Sequence, residues 1–263
     1  MKTLLTLALT LTAASLATAG DTAPADMHLF LLAGQSNMAG RGEIDPTDNE
    51  ALANVFVLDA TGEWEPAIEP YHYDKSFAAA GLARSFAEAY LRDHPGTVIG
   101  FIPTACGGSP VSAWQPGIYF EATDSHPWDD AVGRLSIARK HGTLKGVLWH
   151  QGESDSHPAL APAYQSALVD LIQRFHTDLT VGNVPIILGQ IGRFEGKPWG
   201  EPNLTIDRSI RAVAREQARV GFVSAEGLTA KPDGIHFNTA SLREFGRRYY
   251  VEFQRVASTS DTP

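Results

Sequence analysis

Apolar runs of strand length alternate with amphipathic segments of helix length along most of the chain. Most of these runs are continuously apolar, which is typical of strands that are covered on both faces. They predict strands over residues 28–33, 55–58, 97–102, 145–149, 184–188 and 220–224. The run at 55–58 is the shortest, and it also fits a long loop or a peripheral hairpin.

Apolar residues at three- and four-residue spacing predict amphipathic helices between and after these strands. Four such patterns lie within residues 77–91, 164–179, 206–217 and 242–256, and a weaker one covers 130–140. Alternating strands and helices favour a parallel sheet, because each crossover must return over the sheet. We therefore expect an α/β fold: a three-layer α/β/α sandwich with a mainly parallel sheet of about five strands.

The first residues differ in pattern from the rest of the chain. Residues 1–19 start with a single cation, Lys2, continue through an apolar run and end in Ala17-Thr18-Ala19, which is the pattern of a secretory signal peptide. The apolar run is too short to span a bilayer core of about 30 Å. We expect a secreted or periplasmic protein after cleavage near Ala19.

The remaining residues predict one domain. Residues 20–26 form a short leader rich in Pro, Ala and Asp, and residues 257–263 form a flexible, linker-like tail. The stretch between them, 27–256, is long enough to bury a large core as a single domain.

Composition and charge exclude several classes of partner. Hydrophobic residues at 43% and charged residues at 19% are typical of a globular chain. The formal net charge is −9, or −10 without residues 1–19, so phosphate-rich nucleic acid would be repelled. We expect neither a nucleic-acid nor a membrane partner. Cys106 is the only cysteine, so no intramolecular disulfide can form.

The segments that follow the predicted strands carry the candidate chemistry, because ligands bind beyond the carboxyl ends of strands in open sheets. Ser36 comes directly after the first strand, within Gly-Gln-Ser-Asn-Met at 34–38. Its small neighbours let the backbone turn sharply, which favours a nucleophile. A serine that caps the following helix is an equally good interpretation of this fragment.

A serine hydroxyl attacks an ester only when a base removes its proton. Asp233 and His236 are three residues apart in a glycine-bearing loop after the last predicted strand. A turn there can place the carboxylate against one ring nitrogen while the other nitrogen faces Ser36. A metal pair is the weaker interpretation, because no further ligand motif accompanies it, and we expect neither a metal nor a cofactor.

Two further segments contain groups that can stabilise an oxyanion. Gln151 has a side-chain amide directly after a buried strand, and Gly107 and Gly108 permit close backbone approach, although a glycine pair also suits a tight turn. Glu153 lies in the same polar segment as Gln151. Its carboxylate is a second candidate to orient His236, and it could instead hydrogen-bond neighbouring loops.

Three motifs in order along the chain resemble the SGNH-hydrolase relatives grouped as carbohydrate esterase family six and the sialate O-acetylesterases. They are Gly-Gln-Ser-Asn-Met at 34–38, His-Gln-Gly-Glu-Ser-Asp at 150–155 and Asp-Gly-Ile-His-Phe at 233–237. Three ordered motifs are more specific than any one of them, and the resemblance spans nearly the whole chain after the predicted signal peptide.

The resemblance implies that Ser36 is the nucleophile, His236 the general base and Asp233 the group that orients it. Some members of the family are described with the glutamate of the second motif as the orienting group, which corresponds to Glu153. The implied oxyanion hole comprises the Ser36 N–H, a glycine N–H at 107 or 108, and Gln151, which stands where the broader SGNH pattern has an asparagine.

The function implied by the resemblance is that of a secreted serine esterase that removes O-acetyl groups from carbohydrate through an acetyl-serine intermediate. The substrate would be an acetylated glycan such as xylan, another plant polysaccharide, a sialic acid or a bacterial glycan. One alternative is a lipolytic or thioesterase relative, which needs an extended apolar groove. Another is a non-catalytic carbohydrate-binding domain, against which the intact Ser36, Asp233 and His236 argue.

Aromatic residues are frequent in the segments between the predicted elements. They either stack on sugar rings or attach long loops to the domain, and the sequence supports both roles equally. These residues are Trp64, Tyr71, Tyr73, Trp114, Tyr119, Trp128 and Trp199.

Overall fold

The computed structural model describes residues 23–46, 49–179 and 184–259. The predicted signal peptide, residues 20–22 of the predicted leader and the last four residues of the predicted tail lie outside the described residues. No helix in the described part of the chain is long and apolar enough to cross a bilayer.

A seven-stranded sheet lies at the centre of the described domain, with strand order β3-β2-β4-β1-β5-β6-β7. Every neighbouring pair is parallel except β2 and β3, which are antiparallel. This confirms the mainly parallel sheet. The strands are β1 (Met27–Gly34), β2 (Val55–Leu58), β3 (Trp64–Pro66), β4 (Ile99–Pro103), β5 (Gly142–His150), β6 (Ile186–Gly189) and β7 (Val220–Val223).

The expectation of about five strands is too low, and the difference lies at one edge of the sheet. β2, the short run, pairs with β4 in parallel and also forms a hairpin with β3. β3 has only three residues, and all of them are partly or fully exposed. β3 pairs through its backbone at the edge of the sheet, where a proline is tolerated. Its side chains are not buried, so the sequence there contains no apolar run that would predict a strand.

Helices cover both faces of the sheet, as expected for a three-layer sandwich. Residues of α2 and α6 belong to the core on one face, and residues of α3, α4 and α5 belong to the core on the other. The helices are α1 (Ser36–Ala39), α2 (Ala83–Asp93), α3 (Pro127–Ala138), α4 (Ala161–Arg174), α5 (Glu201–Glu216) and α6 (Thr239–Ser258).

The helix bounds differ by several residues from the ranges that the periodicity predicts, and two of the differences bear on earlier expectations. Phe77 lies outside α2 and is 64% exposed, because the chain between it and Ala83 is a loop rather than a first helical turn. At the other end of the domain, α6 runs to Ser258 and so includes the first two residues of the expected tail.

The buried strand β1 shows why its sequence is continuously apolar. Phe30 and Leu32 belong to the core beneath α2 and α6, and Leu29 and Leu31 belong to the core on the opposite face. The Phe30 ring meets that of Phe86 on α2 edge to face, with centroids 4.9 Å apart. Packing on both faces fixes the carboxyl end of β1, where the candidate site begins.

Candidate active site

Four segments meet at the carboxyl edge of the sheet, and Ser36 stands in the first of them. Ser36 is the first residue of α1, directly after β1, and its residue exposure is 8%. The turn between them depends on Gly34, which has φ +124°, and a Cβ there would lie 2.1 Å from the His150 carbonyl oxygen. Only glycine allows the chain to leave β1 so close to β5.

Ser36, His236 and Asp233 form one continuous chain of hydrogen bonds. The Ser36 Oγ lies 3.0 Å from His236 Nε2, and His236 Nδ1 lies 2.9 Å from Asp233 Oδ2. The serine and the histidine are 200 residues apart in sequence, so the sheet brings them together. This arrangement matches that of a nucleophile, a general base and an orienting carboxylate.

The loop that contains Asp233 holds its carboxylate in the ionised form. Partial burial of Asp233 works against ionisation, yet the backbone N–H and the ring of His236 and the backbone N–H of Ile235 donate to the carboxylate and lower its pKa to about 2. A carboxylate that stays charged favours a proton on the facing ring nitrogen, which leaves Nε2 free to accept the serine proton.

The alternative role of Ser36 as a helix cap is not what the structure shows. The N-cap position of α1 is Gln35, and no side chain caps the helix there. The hydroxyl of Ser36 is directed to His236 instead.

Glu153 does not contact His236 by a hydrogen bond in the structure. Its Oε1 accepts from the Asn37 side-chain amide at 2.7 Å and lies 3.1 Å from His150 Nε2. Burial opposes ionisation of Glu153, but His150 and the Asn37 amide outweigh it and hold the pKa of this carboxyl below its usual range. In this structure Glu153 is therefore linked to His236 through a neighbour, and its role as the orienting group stays a prediction.

That neighbour is Asn37, which the sequence analysis did not single out. Besides the bond to Glu153, its Nδ2 donates to the Ile235 carbonyl at 3.3 Å, and its Oδ1 accepts from the Phe237 N–H at 3.1 Å. Asn37 thus binds the backbone on both sides of His236. Its position next to Ser36 could have indicated a role in the site, because a side-chain amide can donate and accept hydrogen bonds at the same time.

Gln151 is fully buried, and its amide nitrogen is directed to internal acceptors. It lies 3.2 Å from Gln35 Oε1, 3.1 Å from the Ser109 carbonyl and 2.5 Å from Asp155 Oδ2. An amide group has two N–H donors, so these partners leave none for a substrate oxygen. In this structure Gln151 therefore braces the loops behind the serine, and its expected place in the oxyanion hole stays a prediction.

The two glycines of the 105–109 loop differ in what their N–H groups do. The Gly107 N–H donates to Asp74 Oδ2 at 2.8 Å, so it is occupied. The backbone N–H groups of Gly108 and Ser36 have no acceptor among the described residues. Gly108 is exposed with φ +85°, so its N–H and that of Ser36 are candidate donors to a substrate oxygen.

A buried ion pair that the sequence analysis also missed supports this loop. Arg41 Nη2 lies 2.6 Å from Asp74 Oδ2, and both side chains are 4% exposed. A Cβ at Gly107 would lie 2.6 Å from Arg41 Nη2 and from Asp74 Oδ2, so a larger residue there would have to displace the buried pair. No sequence motif links the three positions, because the pair forms only when the loops meet above the sheet.

No group of three or more His, Cys, Asp or Glu side chains in the part of the chain that the structure describes is arranged to hold a metal ion.

A protein-family model matches most of the chain. The model described as "Carbohydrate esterase, sialic acid-specific acetylesterase" matches residues 26–255. A relative from Arabidopsis thaliana with the name "Probable carbohydrate esterase" is 31% identical over 243 residues, which cover 83% of this chain and 87% of the relative.

Comparison with solved structures gives the same architecture. The structure of an Arabidopsis thaliana protein is 28% identical, with a TM-score of 0.76, and the match covers 88% of this chain and 98% of that one. NanS has a TM-score of 0.68 at 18% identity, with coverage of 89% and 98%. A carbohydrate acetylesterase from Xanthomonas citri has a TM-score of 0.67 at 21% identity, with coverage of 88% and 56%. The last two are similar in fold.

Proposed function

The chain belongs to the carbohydrate esterase family of sialic acid-specific acetylesterases, and from this premise we propose that it is an exported serine esterase that removes O-acetyl groups from carbohydrate through an acetyl-serine intermediate. The observation that carries the proposal is the hydrogen-bonded chain from Ser36 through His236 to Asp233. Export is proposed from the pattern of residues 1–19. The test is expression in a secreting host, and a mature protein that starts near residue 20 would support the proposal.

In the first half-reaction, His236 Nε2 takes the proton of the Ser36 hydroxyl, which lies 3.0 Å away, as the oxygen attacks the acetyl carbonyl carbon. The carbonyl electrons move to its oxygen and form a tetrahedral oxyanion. The N–H groups of Ser36 and Gly108 are the proposed donors to this oxygen. Each such donor is worth about 10²- to 10³-fold in turnover.

Collapse of the tetrahedral intermediate breaks the bond to the sugar oxygen. His236 returns its proton to that oxygen, and the sugar leaves as an alcohol. His236 then takes a proton from water as the water oxygen attacks the acetyl-serine carbonyl. Collapse of this second tetrahedral intermediate breaks the bond to Ser36 Oγ, His236 returns its proton to that oxygen, and acetate leaves. Asp233 stays ionised throughout and stabilises the imidazolium, because its pKa of about 2 keeps it charged at any working pH near neutrality.

Replacement of Ser36 tests the mechanism. We expect Ser36→Ala to lower kcat for acetate release by about 10⁶-fold, since loss of a triad nucleophile removes the covalent route. Ser166→Ala is the matched control, because this exposed serine on α4 hydrogen-bonds only within its own helix. Folded Ser36→Ala protein with near wild-type activity on acetyl esters would refute the proposal.

A panel of acetylated glycans tests the substrate class. Acetate release is measured from acetylated xylan, other plant polysaccharides, acetylated sialic acid and acetylated bacterial glycans, with simple esters of increasing acyl length beside them. We expect acetyl esters to be the best of the chain-length series. A preference for long acyl chains would instead support a lipolytic enzyme.

A further inference from the structure

The side-chain hydrogen bonds of Asn37 join α1 to two segments that are distant in sequence. Asn37 is 1% exposed. Its Nδ2 donates to Glu153 Oε1 at 2.7 Å and to the Ile235 carbonyl at 3.3 Å, and its Oδ1 accepts from the Phe237 N–H at 3.1 Å. These partners are 116, 198 and 200 residues away along the chain. The side chain therefore connects loops around the serine rather than turns of its own helix.

The loop that contains His236 is closed by its own hydrogen bonds. The Lys231 N–H donates to the His236 carbonyl at 2.7 Å. Asp233 accepts from the N–H groups of Ile235 and His236 and from the His236 ring. Because all of these groups belong to one loop, Asp233 orients the ring relative to the loop. These bonds do not fix the loop relative to Ser36.

Asn37 supplies that connection at the peptide groups on both sides of His236. The Ile235 carbonyl belongs to the peptide bond before His236, and the Phe237 N–H belongs to the peptide bond after it. One amide binds both groups, so it fixes the backbone direction from which the His236 ring projects. Since Asn37 is also the neighbour of Ser36 on α1, the same contacts hold the 3.0 Å approach of His236 Nε2 to Ser36 Oγ.

Other described contacts hold the loop less directly. Lys231 Nζ donates to the Arg41 carbonyl at 2.6 Å, but it does so from the opposite end of the loop through a long side chain. The Phe237 ring packs against the Phe245 ring with centroids 5.2 Å apart. Apolar packing anchors the loop without fixing a direction, because the hydrophobic effect is not directional.

Glu153 determines which way the Asn37 amide faces. An ionised carboxylate accepts hydrogen bonds and cannot donate, so Glu153 binds Nδ2 and leaves Oδ1 for the Phe237 N–H. The reverse orientation would place an amide oxygen against the carboxylate. Glu153 is itself held by His150 Nε2 at 3.1 Å, and His150 is fully buried at the end of β5. The contacts therefore extend from the sheet through Glu153 and Asn37 to the backbone of His236.

We propose that Asn37 is a positioning residue for the general base, which holds the backbone of His236 so that Nε2 stays within reach of the Ser36 hydroxyl in both half-reactions. The inference rests on the proposed function. Asn37 is nearly inaccessible and does not touch the substrate, so its replacement should act on turnover rather than on substrate binding. A shift of about 1 Å in a reacting group can lower a rate about 10²-fold.

Asn37→Leu tests the proposal, because leucine has a similar volume but can neither donate nor accept a hydrogen bond. We expect kcat on 4-nitrophenyl acetate to fall about 10²-fold while KM stays within about 3-fold, since His236 acts in both half-reactions. Inactivation of Ser36 by a serine-directed organophosphate should slow by a similar factor. In a crystal structure of the variant, the distance from Ser36 Oγ to His236 Nε2 should exceed the hydrogen-bonding limit of about 3.5 Å.

Gln190→Met is the matched control for the loss of a buried amide. Gln190 is 7% exposed, and its side chain donates to Asp207 Oδ1 and accepts from the Ala225 N–H, both at 2.8 Å. It therefore makes the same kinds of contact as Asn37, but it has no described bond to the serine, histidine or aspartate of the site. We expect Gln190→Met to lower Tm and to keep kcat within about 2-fold of wild type.

Asn37→Ser is a second variant in case Asn37→Leu does not fold. A serine hydroxyl can donate and accept, but its side chain is too short to bind both peptide groups beside His236. We expect kcat to fall about 10-fold or more, again with little change in KM.

Near wild-type kcat in the folded Asn37 variants would overturn the proposal. A lower kcat with the 3.0 Å contact between Ser36 and His236 intact would also overturn it, as would a loss that lies in KM or an equal fall of kcat in Gln190→Met. Failure of the proposed function looks different. Wild-type protein would then release no acetate from any carbohydrate, while the rates with 4-nitrophenyl acetate and the organophosphate would still decide the role of Asn37.

Discussion

The side-chain amide of Asn37 donates a 2.7 Å hydrogen bond to the Glu153 carboxylate. Through its carbonyl oxygen, the same Asn37 accepts from the Phe237 N–H, next to the candidate general base. Glu153 is therefore linked to His236 only indirectly: it holds Asn37, and Asn37 holds the loop that contains His236. Asp233, in contrast, bonds the His236 ring itself.

This difference predicts unequal effects of replacing the two carboxylates. Asp233→Asn should lower kcat by about 10⁴-fold, because the amide favours the wrong ring tautomer. Glu153→Ala should lower kcat by about 10- to 100-fold and also lower Tm, since it leaves Asn37 and buried His150 without a charged partner. Initial rates and thermal melts measure both effects.

Two variants control this comparison. Glu153→Gln keeps an acceptor for Asn37 and should fall between Glu153→Ala and wild type, and Glu216→Ala removes an exposed carboxylate on α5 and should change neither quantity. A larger loss of kcat in Glu153→Ala than in Asp233→Asn would reverse the assignment.

The lowered pKa of Asp233 predicts how stability changes in acid. Because its pKa is about 2 in the folded protein and about 4 when unfolded, the unfolded chain takes up a proton first as the pH falls. The stabilisation by this carboxylate is complete above about pH 4 and is lost as the pH falls towards 2. Asp233→Asn lacks this contribution, so the difference in Tm between wild type and Asp233→Asn should shrink from pH 5 to pH 2. A constant difference over that range would contradict the prediction.

The buried position of Gln151 predicts a loss of stability rather than of catalysis. Gln151→Met conserves volume but removes the donors to Gln35, Ser109 and Asp155, which should cost about 1–3 kcal/mol in the free energy of unfolding. The folded fraction should keep kcat within about 10-fold of wild type, whereas loss of an oxyanion donor costs about 10²- to 10³-fold. Denaturant unfolding and active-site titration separate the two. A fall in kcat of about 10²- to 10³-fold, with an unchanged free energy of unfolding, would instead indicate that Gln151 is an oxyanion donor.

The close approach of β1 and β5 predicts that Gly34 cannot be replaced. Gly34→Ala would place a Cβ 2.1 Å from the His150 carbonyl oxygen, so the protein should lose about 3 kcal/mol or more in the free energy of unfolding, together with most of its activity. Gly96→Ala is the control, because Gly96 also has positive φ but open space around it, and it should cost about 1 kcal/mol. Equal effects of the two substitutions would show that backbone strain, and not the contact, governs Gly34.

The sequence by itself determined the layered α/β fold and the candidate triad. Strands such as β1 are buried on both faces, which requires a continuous apolar run, and the helices must turn one apolar side to the sheet. Ser36, Asp233 and His236 stand in short local motifs after strands, and the direction of parallel strands places all such segments at one edge.

Only the tertiary structure decided which polar groups face the reacting serine and which brace it from behind. Whether Gly107 or Gly108 keeps a free N–H depends on Asp74, 33 residues before Gly107. Gln151 and Glu153 each have one partner 116 residues earlier, Gln35 and Asn37 respectively. A hydrogen bond depends on direction over about 3 Å, and direction is set when packed elements bring distant loops together. The same holds for β3, which forms only by pairing with β2 and leaves no periodic pattern in the chain.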